Sequence, residues 1–354
     1  MRKDFVSDEP FWERKCKTKN LTFKDFLVHS CTSDEWMYFD YKYLHKWFDS
    51  DTELFKSVSW KQFGYSKGAS ESTLWVGSSG AHTPMHQDTY GFNIVAQIYG
   101  KKRWILFPPE AGNLKPTRIP YEESSVYSEL NFYSPSNLND FSALSGARVV
   151  ELSAGDALLV PRGWWHYVQN IDPLNISLNI WLPHETDASA QVSEALIKIF
   201  VAQICKDLPQ ETAKLVVNPN EDDLSDTPLA VLFLQLETVA NMYLDKKRKL
   251  RRAKRQKTSD DRDAAVAVEH DLTTLLQTES NTLEVAAPIT SEDLINIIKK
   301  NLQEYTSAKS VVDDDEVEGS SASLCLTKAV IDAFSQSNVI DVVKQNLFAR
   351  LNNH

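Results

Sequence analysis

The apolar residues change their spacing along the chain. Between residues 72 and 182 they occur in short runs, rich in β-branched and aromatic side chains and bounded by Gly, Pro, Asn or Asp. Such runs are typical of β-strands. They predict strands at 72–77, 92–99, 102–107, 149–152, 157–160, 164–170 and 176–182. Because the strands are short and follow each other at near-regular spacing, we expect an antiparallel sandwich or barrel.

Helical spacing flanks this region. Residues 21–27 and 35–48 mix helix-like and aromatic segments, and the polar segment 108–148 is predicted to be a long loop of functional importance. After Pro183, apolar residues at helical spacing predict helices near 192–204, 229–244, 291–303 and 324–351. The resulting division is a helical and aromatic flank (1–60), a β domain (61–185), a helical extension (186–250), a mostly flexible linker (251–323) and C-terminal helices (324–354).

Composition and charge narrow the classes of function. The formal net charge of −11 disfavours broad electrostatic binding to nucleic acid or to an anionic membrane. No run approaches the roughly 20 apolar residues that span a bilayer, and the N-terminal residues lack the apolar core of a secretory signal. The four cysteines are too scattered for a disulfide framework. We therefore expect a cytoplasmic protein without a membrane partner.

One basic run departs from this acidic background. Nine of the twelve residues in 246–257 are Lys or Arg. Such a run is typical of a nuclear localisation signal or a solvated helix end, and less often of a nucleic-acid contact, so nuclear entry stays open. The candidate contact residues are Lys246, Lys247, Arg248, Lys249, Arg251, Arg252, Lys254 and Arg255.

Three residues have the chemistry and spacing of a metal site. His86 and Asp88 are two positions apart, so on an extended strand both point to the same face. His166, in a distant strand-like run, supplies a third donor. Taken separately, these residues have ordinary explanations. The His86–Asp88 spacing can arise by chance, and a histidine that follows two tryptophans, such as His166, is often a packed core residue. Together, two histidines and a carboxylate leave coordination positions open, as Fe(II) oxygenases require. The absence of a thiolate argues against structural zinc.

Four polar residues in or beside the same strands are candidates for binding 2-oxoglutarate. Lys102 heads the strand that follows the Gly100 turn and can pair with a carboxylate inside a barrel, or can belong to a solvated cluster of turn residues. Thr83 lies three residues before His86 and can donate a hydroxyl. Asn93 and Asn179 lie in apolar strands, where a ligand or the neighbouring backbone would satisfy their amides.

These motifs together resemble the JmjC hydroxylases of the small group that includes the asparaginyl hydroxylase of hypoxia-inducible factor. The resemblance is carried by 82–88, 96–109, 155–161, 164–166 and 179–181. It implies a mainly β, cupin-like double-stranded β-helix with flanking helices and a helical C-terminal extension. It also implies Fe(II) on His86, Asp88 and His166, with 2-oxoglutarate bound at Thr83, Asn93, Lys102 and Asn179. Tyr38 matches the family's pocket tyrosine.

Longer strings resemble a branch of this family whose member associates with a small heat shock protein. They lie at 71–75, 116–126 and 171–173, and the likeness extends over roughly 20–205 and the C-terminal helices. The segment leading into the barrel is shorter than in such proteins, and the basic run is not expected from them. The resemblance implies a hydroxylase of a protein side chain. The alternatives are a JmjC-fold protein that binds the small heat shock protein without essential catalysis, and a hydroxylase of a tRNA base. The C-terminal helices are also compatible with a homodimer.

Overall fold

The computed structural model describes residues 6–13, 16–32, 34–117, 125–213, 216–217, 227–256, 284–305 and 322–351. Its centre is built from strands β1 (Tyr38–Tyr43), β2 (Thr73–Gly77), β3 (His82–Asp88), β4 (Phe92–Tyr99), β5 (Lys102–Phe107), β6 (Ser125–Tyr127), β7 (Arg148–Leu152), β8 (Ala157–Val160), β9 (Trp165–Asn170) and β10 (Asn175–Leu182). They form two five-stranded sheets, in the orders β1-β2-β10-β4-β8 and β6-β3-β9-β5-β7. Every pairing is antiparallel. The predicted mainly β fold class is confirmed.

The helices flank these sheets. They are α1 (Phe23–Thr32), α2 (Leu44–Trp47), α3 (Glu53–Ser57), α4 (Asp187–Cys205), α5 (Gln210–Ala213), α6 (Leu229–Gln256), α7 (Ser291–Tyr305), α8 (Ala322–Phe334) and α9 (Ser337–Leu351). α4 packs along α6 and also contacts α8 and α9. By length and composition α4 would be able to cross a membrane, but Val192 and Val201 on it are fully buried against these neighbours. One side of α4 therefore packs within the protein.

β1 was not predicted as a strand. It lies within the segment 35–48 that was assigned to a helical and aromatic flank, yet it pairs along β2 as the edge of the first sheet. The alternation of Tyr41, Lys42 and Tyr43 is compatible with a strand, but it is surrounded by aromatic residues at helical spacing. Pairing with β2, which is distant in sequence, decides the conformation. The predicted 1–60 flank therefore contributes a strand to the sheet.

The described residues of the segment 108–148, which are 108–117 and 125–148, are not an open loop. They cover the outer face of the second sheet, where Phe132, Phe141 and Leu144 are buried against Ile105 and Phe107 of β5. Only β6 and a short 3-10 turn at Asn139–Ala143 are regular within the described part of this segment. Its apolar residues were visible in the sequence but lack a period, because each packs from a different backbone direction.

The helix predicted near 291–303, within the mostly flexible segment 251–323, is present as α7. Its Leu294 and Ile298 are fully buried in the same cluster as Phe107, a packing that was not predicted. Asn301 of α7 accepts a hydrogen bond from Arg103 Nη1 at 3.2 Å and donates one to Gln169 Oε1 at 2.8 Å. α7 therefore closes the outer face of the second sheet. The two sheets pack face to face through the cluster of Val95, Trp104, Leu106, Leu152, Val160 and Val168.

Candidate metal centre and adjoining pocket

The β3–β9 register brings the three predicted metal ligands together. His86 lies directly opposite His166 across the two strands, and Asp88 follows two positions later on the same face as His86. His86 Nε2 is 3.7 Å from Asp88 Oδ1, and His166 Nε2 is 3.9 Å from Asp88 Oδ2. One donor atom from each residue lies within 4.8 Å of the other two. Donors that each lie about 2.1 Å from one metal are at most about 4.2 Å apart, so little movement is needed to close on an ion.

Hydrogen bonds fix the orientation of both imidazoles. His86 Nδ1 is 2.9 Å from the carbonyl oxygen of Pro84, and His166 Nδ1 is 3.0 Å from that of Trp164. A proton on each Nδ1 satisfies these carbonyls and leaves the Nε2 lone pair directed at the centre of the group. Burial, and then the neighbouring His166, lower the pKa of His86 to about 4. His86 is therefore a neutral imidazole near pH 7, which is the form that binds metal.

Asp88 is held by side chains from two other strands. Trp181 Nε1 of β10 donates to Asp88 Oδ2 at 3.2 Å, and Ser125 Oγ of β6 donates to Oδ1 at 3.4 Å. The side chain of Asp88 is 21% exposed, against 3% for His166. The carboxylate is thus the least enclosed member of the group, and its orientation depends on donors around it.

A cavity of about 500 Å³ extends from the three ligands into the space between the sheets. Its wall includes all five residues predicted to bind 2-oxoglutarate, which are Tyr38, Thr83, Asn93, Lys102 and Asn179. The volume lies within the usual range of a small-molecule site. The structure therefore brings the two predicted groups of residues into one cavity.

Lys102 is a buried cation in this cavity and not part of a solvated turn. Its side chain is 1% exposed, and Nζ donates to Ser177 Oγ at 2.7 Å. Burial lowers the pKa of Lys102 to about 7, although the charge of Asp40 opposes this. Within the described part of the chain, Lys102 forms no ion pair closer than 4.0 Å. An anion at Nζ would recover the cost of burying the charge.

The other cavity residues are linked to each other. Tyr38 hydrogen-bonds with the side chains of Thr83 and Asn170, and burial raises its pKa. Lys102 Nζ lies 5.6 Å from the centre of the Tyr38 ring. The hydroxyl-bearing residues Tyr38, Thr83 and Ser177 therefore line the same cavity as the amine of Lys102.

The two predicted amides satisfy one another. Asn179 Nδ2 donates to Asn93 Oδ1 at 2.9 Å, and Trp75 Nε1 donates to Asn179 Oδ1 at 2.8 Å. The sequence suggested a ligand or the neighbouring backbone as the partner of each amide. The partner is instead a side chain on the adjacent strand. The amides form a fixed polar wall of the cavity.

The basic residues lie elsewhere. The run continues as the last turns of α6, and its described side chains at Lys246, Lys247, Arg248, Lys249 and Arg252 are exposed. Lys246 Nζ donates to the carbonyl oxygen of Glu185 at 3.0 Å. The side chains of Arg251, Lys254 and Arg255 lie outside the described part of the chain. None of the described residues of this basic run lines the cavity.

Sequence reasoning missed Ser177, the hydrogen-bond acceptor of Lys102. The available signal was the alternation of Asn175, Ser177 and Asn179, which places three buried polar side chains on one face of β10. It also missed the bulge in β1, where Asp40 and Tyr41 together oppose Trp75. Tyr41 has a φ of 51°, and both bulge residues line the cavity. A bulge has no sequence signal of its own here.

Trp181→Phe tests how far the surroundings of Asp88 control metal binding. The change keeps an aromatic ring but removes the donor to Asp88 Oδ2, so we expect affinity for Co(II), a spectroscopic probe ion, to fall about tenfold. Trp75→Phe is the matched control, because it removes a donor to Asn179 and none to a ligand. Equal losses in both variants, measured by titration of the visible Co(II) bands, would contradict this interpretation.

Comparisons with known proteins identify the family of the chain. Residues 1–188 match the family model described as Cupin-like domain. Human (Homo sapiens) HSPB1-associated protein 1 is 41% identical over 259 residues, covering 68% of this chain and 52% of that protein. Lysine-specific demethylase JMJ31 of Arabidopsis thaliana is 29% identical over 163 residues, covering 45% of this chain and 28% of that protein.

Among solved structures, the CENP-C cupin domain of Drosophila melanogaster aligns at 13% identity and a TM-score of 0.21, over 33% of this chain and 65% of that chain. A likeness at that level supports no further argument. The chain spans about half the length of the HSPB1-associated proteins that it matches. The family match, by contrast, covers more than half of the chain and includes all three candidate ligands. The protein belongs to the cupin-like (JmjC) domain family.

Proposed function

We propose that the protein is an Fe(II)- and 2-oxoglutarate-dependent dioxygenase that hydroxylates a side chain of a protein substrate. One observation carries the proposal: a three-residue metal site and a buried cation without an ion-pair partner among the described residues lie in the same cavity. A metal-chelating anion with a second carboxylate would complement both. 2-Oxoglutarate has these two functions in one molecule.

The donor set favours Fe(II). Two imidazoles and one carboxylate, arranged on one side of the metal, leave positions for a bidentate ligand and for oxygen. The residues that would hold the metal are His86, Asp88 and His166. When bound, Fe(II) and 2-oxoglutarate supply oxygen activation, in which the cosubstrate is oxidised to succinate and CO₂ while a C–H bond of the substrate is hydroxylated.

The protein's own residues would bind and shield these groups. Lys102 would pair with the far carboxylate of 2-oxoglutarate, with the hydroxyls of Thr83 and Tyr38 as further donors. Trp104 stacks on His166 at a ring-centre distance of 5.8 Å and is itself buried. It would exclude water from the metal on that side, and Trp181 would orient Asp88.

The cavity lining supports a polypeptide side chain as the substrate. Tyr41 lies 5.6 Å from Trp75 and 5.3 Å from Trp181, between ring centres, and these rings form one wall near Asp88. The carboxylates of Asp40 and Asp187 line the same cavity. Aromatic faces with nearby carboxylates suit a side chain that has an apolar stem and a polar or cationic end. Two Arabidopsis relatives are named as lysine-specific and arginine-specific demethylases.

An anaerobic titration with Fe(II) and 2-oxoglutarate tests the proposal directly. The chelate has a weak visible charge-transfer band, which we expect in the parent protein and not in His166→Ala. His45→Ala is the matched control, because His45 is exposed and outside the cavity. A folded parent that binds Fe(II) but develops no band on addition of 2-oxoglutarate would refute the proposed cosubstrate.

Lys102 predicts a particular pH dependence. A carboxylate at Nζ raises the pKa of Lys102 above its value of about 7 in the free protein, so binding takes up a proton above that pH. Affinity for 2-oxoglutarate should be full below about pH 7 and fall by up to about tenfold per pH unit above it. Calorimetric titration with 2-oxoglutarate between pH 6 and pH 9, at a fixed concentration of Zn(II) in place of Fe(II), would measure this change in affinity.

Two variants isolate the effect. Lys102→Ala should weaken binding by about two orders of magnitude and remove the pH dependence, because the titrating group is gone. Lys101→Ala should retain the affinity for 2-oxoglutarate and its pH dependence, because Lys101 is exposed to solvent beside Lys102. A pH dependence that persists in Lys102→Ala would assign it to another group.

A second candidate function is association with a small heat shock protein. The observation that favours it is the set of exposed apolar side chains on α6, among them Phe233 at 52% and Leu234 at 61% exposure. The names of the HSPB1-associated relatives supply the partner to test. The double variant Phe233→Ser/Leu234→Ser should lose binding to purified HSPB1, whereas Gln235→Ser and His86→Ala should bind as the parent does. Unchanged binding by the double variant would show that this surface of α6 is not the binding site for HSPB1.

A further inference from the structure

The three residues that follow the metal ligand Asp88 are each held by a contact from outside the β3 strand. Arg162 Nη2 donates to the carbonyl oxygen of Thr89 at 3.3 Å. The hydroxyl of Tyr90 donates to Glu194 Oε2 of α4. The amide of Gly91 donates to Asp187 Oδ1 of α4 at 2.8 Å. The turn between β3 and β4 is therefore fixed at each of its positions.

Gly91 leaves this turn little freedom to move. Its φ is +62°, and an added Cβ would lie 2.4 Å from the carbonyl oxygen of Leu182. Only glycine tolerates both the conformation and the close approach. The backbone thus packs tightly against the end of β10, three residues after a ligand that is itself partly exposed.

Asp187 is the centre of the arrangement. Besides accepting from Gly91, it accepts from the amide of His184 through Oδ2 at 2.7 Å, and its Oδ1 lies 3.9 Å from Arg162 Nε. Both carboxylate oxygens are therefore engaged, with 17% of the side chain exposed. The residue joins the start of α4, the turn after β3 and the β8–β9 connection in one network.

α4 is in turn fixed by the C-terminal helix. Lys344 Nζ of α9 donates to Ser189 Oγ at 2.9 Å and to Ser193 Oγ at 3.0 Å, on the turns of α4 that carry Asp187 and Glu194. Glu194 is only 8% exposed. Two of the three contacts to the turn, those of Asp187 and Glu194, therefore come from a helix that α9 holds in turn.

We propose that Asp187, Glu194 and Arg162 are positioning residues that set the metal affinity of the site by holding Asp88 through the Thr89–Gly91 turn. The inference rests on the proposed metal site. Asp88 lies at the end of its strand, and its own hydrogen bonds, from Trp181 and Ser125, are 3.2 and 3.4 Å long. Fixing the following backbone limits the rotation and translation of the carboxylate. Residues that orient a metal ligand in this way typically change metal affinity by about 10- to 100-fold.

The test is the dissociation constant for Co(II), without 2-oxoglutarate, measured on the full chain. Asp187→Ala should bind Co(II) about 10- to 100-fold more weakly than the parent. Asp187→Asn retains an oxygen for the Gly91 amide and should recover most of that loss. Glu185→Gln removes a neighbouring exposed carboxylate and should match the parent. Hydrogen exchange at the Gly91 amide should be faster in Asp187→Ala alone.

Tyr90→Phe gives a second measurement that does not disturb Asp187. It deletes only the hydroxyl that reaches Glu194, and it should weaken Co(II) binding in the same direction by a smaller factor. Co(II) affinities of folded Asp187→Ala and Tyr90→Phe equal to the parent value would overturn the proposal, whatever their stability. A role in folding alone would lower the free energy of unfolding and leave these affinities unchanged.

The result is separable from that of the proposed function. A parent that binds Co(II) through His166 but gives no 2-oxoglutarate band would refute the dioxygenase proposal, and the Co(II) affinities of the variants would still decide the role of Asp187. A parent that binds no Co(II) at all would overturn the positioning role as well.

Discussion

The pairing register of β3 with β9 is the constraint on which the candidate site depends. It places His86 opposite His166 and, because side chains alternate along a strand, it also places Asp88 on their face. A slip of one residue would turn the members of one strand to the outer, apolar face, where Ile105, Phe107 and Tyr167 are buried. The register of the metal ligands and the packing of the core therefore support each other.

Several polar side chains are buried between the same two sheets. Lys102, Asn93, Asn179 and Ser177 are all buried between strands that otherwise have apolar interiors. The amides and the serine have partners within the protein. The ammonium group has a serine hydroxyl and an aromatic face, but no carboxylate of the described residues lies within 4.0 Å of it. Such a group costs stability unless a ligand compensates for it. The burial of Lys102 is therefore better explained by a role in binding an anion than by a contribution to the stability of the fold.

Elements with a periodic pattern of their own were predicted from the sequence, whereas elements that depend on contacts with distant residues were not. Strands such as β4, β5 and β8 were found with their correct bounds, since each contains its own period and ends at a turn residue. The three candidate metal ligands and Lys102, which the structure brings to one cavity, were proposed from residue type, spacing and family resemblance. β1 was missed because its conformation depends on a partner strand. The helix α7 was predicted, but its packing over the second sheet, together with that of the described residues of 108–148, was not, because this packing depends on contacts across the chain. The network around Asp187 has no local pattern at all, since it joins a turn, a connection and a helix start.

The position of α7 has a consequence for the synthesis of the chain. Asn301 hydrogen-bonds Arg103 from 198 residues away, and Leu294 and Ile298 cover the outer face of the second sheet. The ribosome completes every strand of both sheets by residue 182, more than a hundred residues before it reaches α7. During that interval the sheets lack part of their cover and expose apolar surface to solvent. Maturation of this fold is thus tied to a segment that follows the strands by a long stretch of translation.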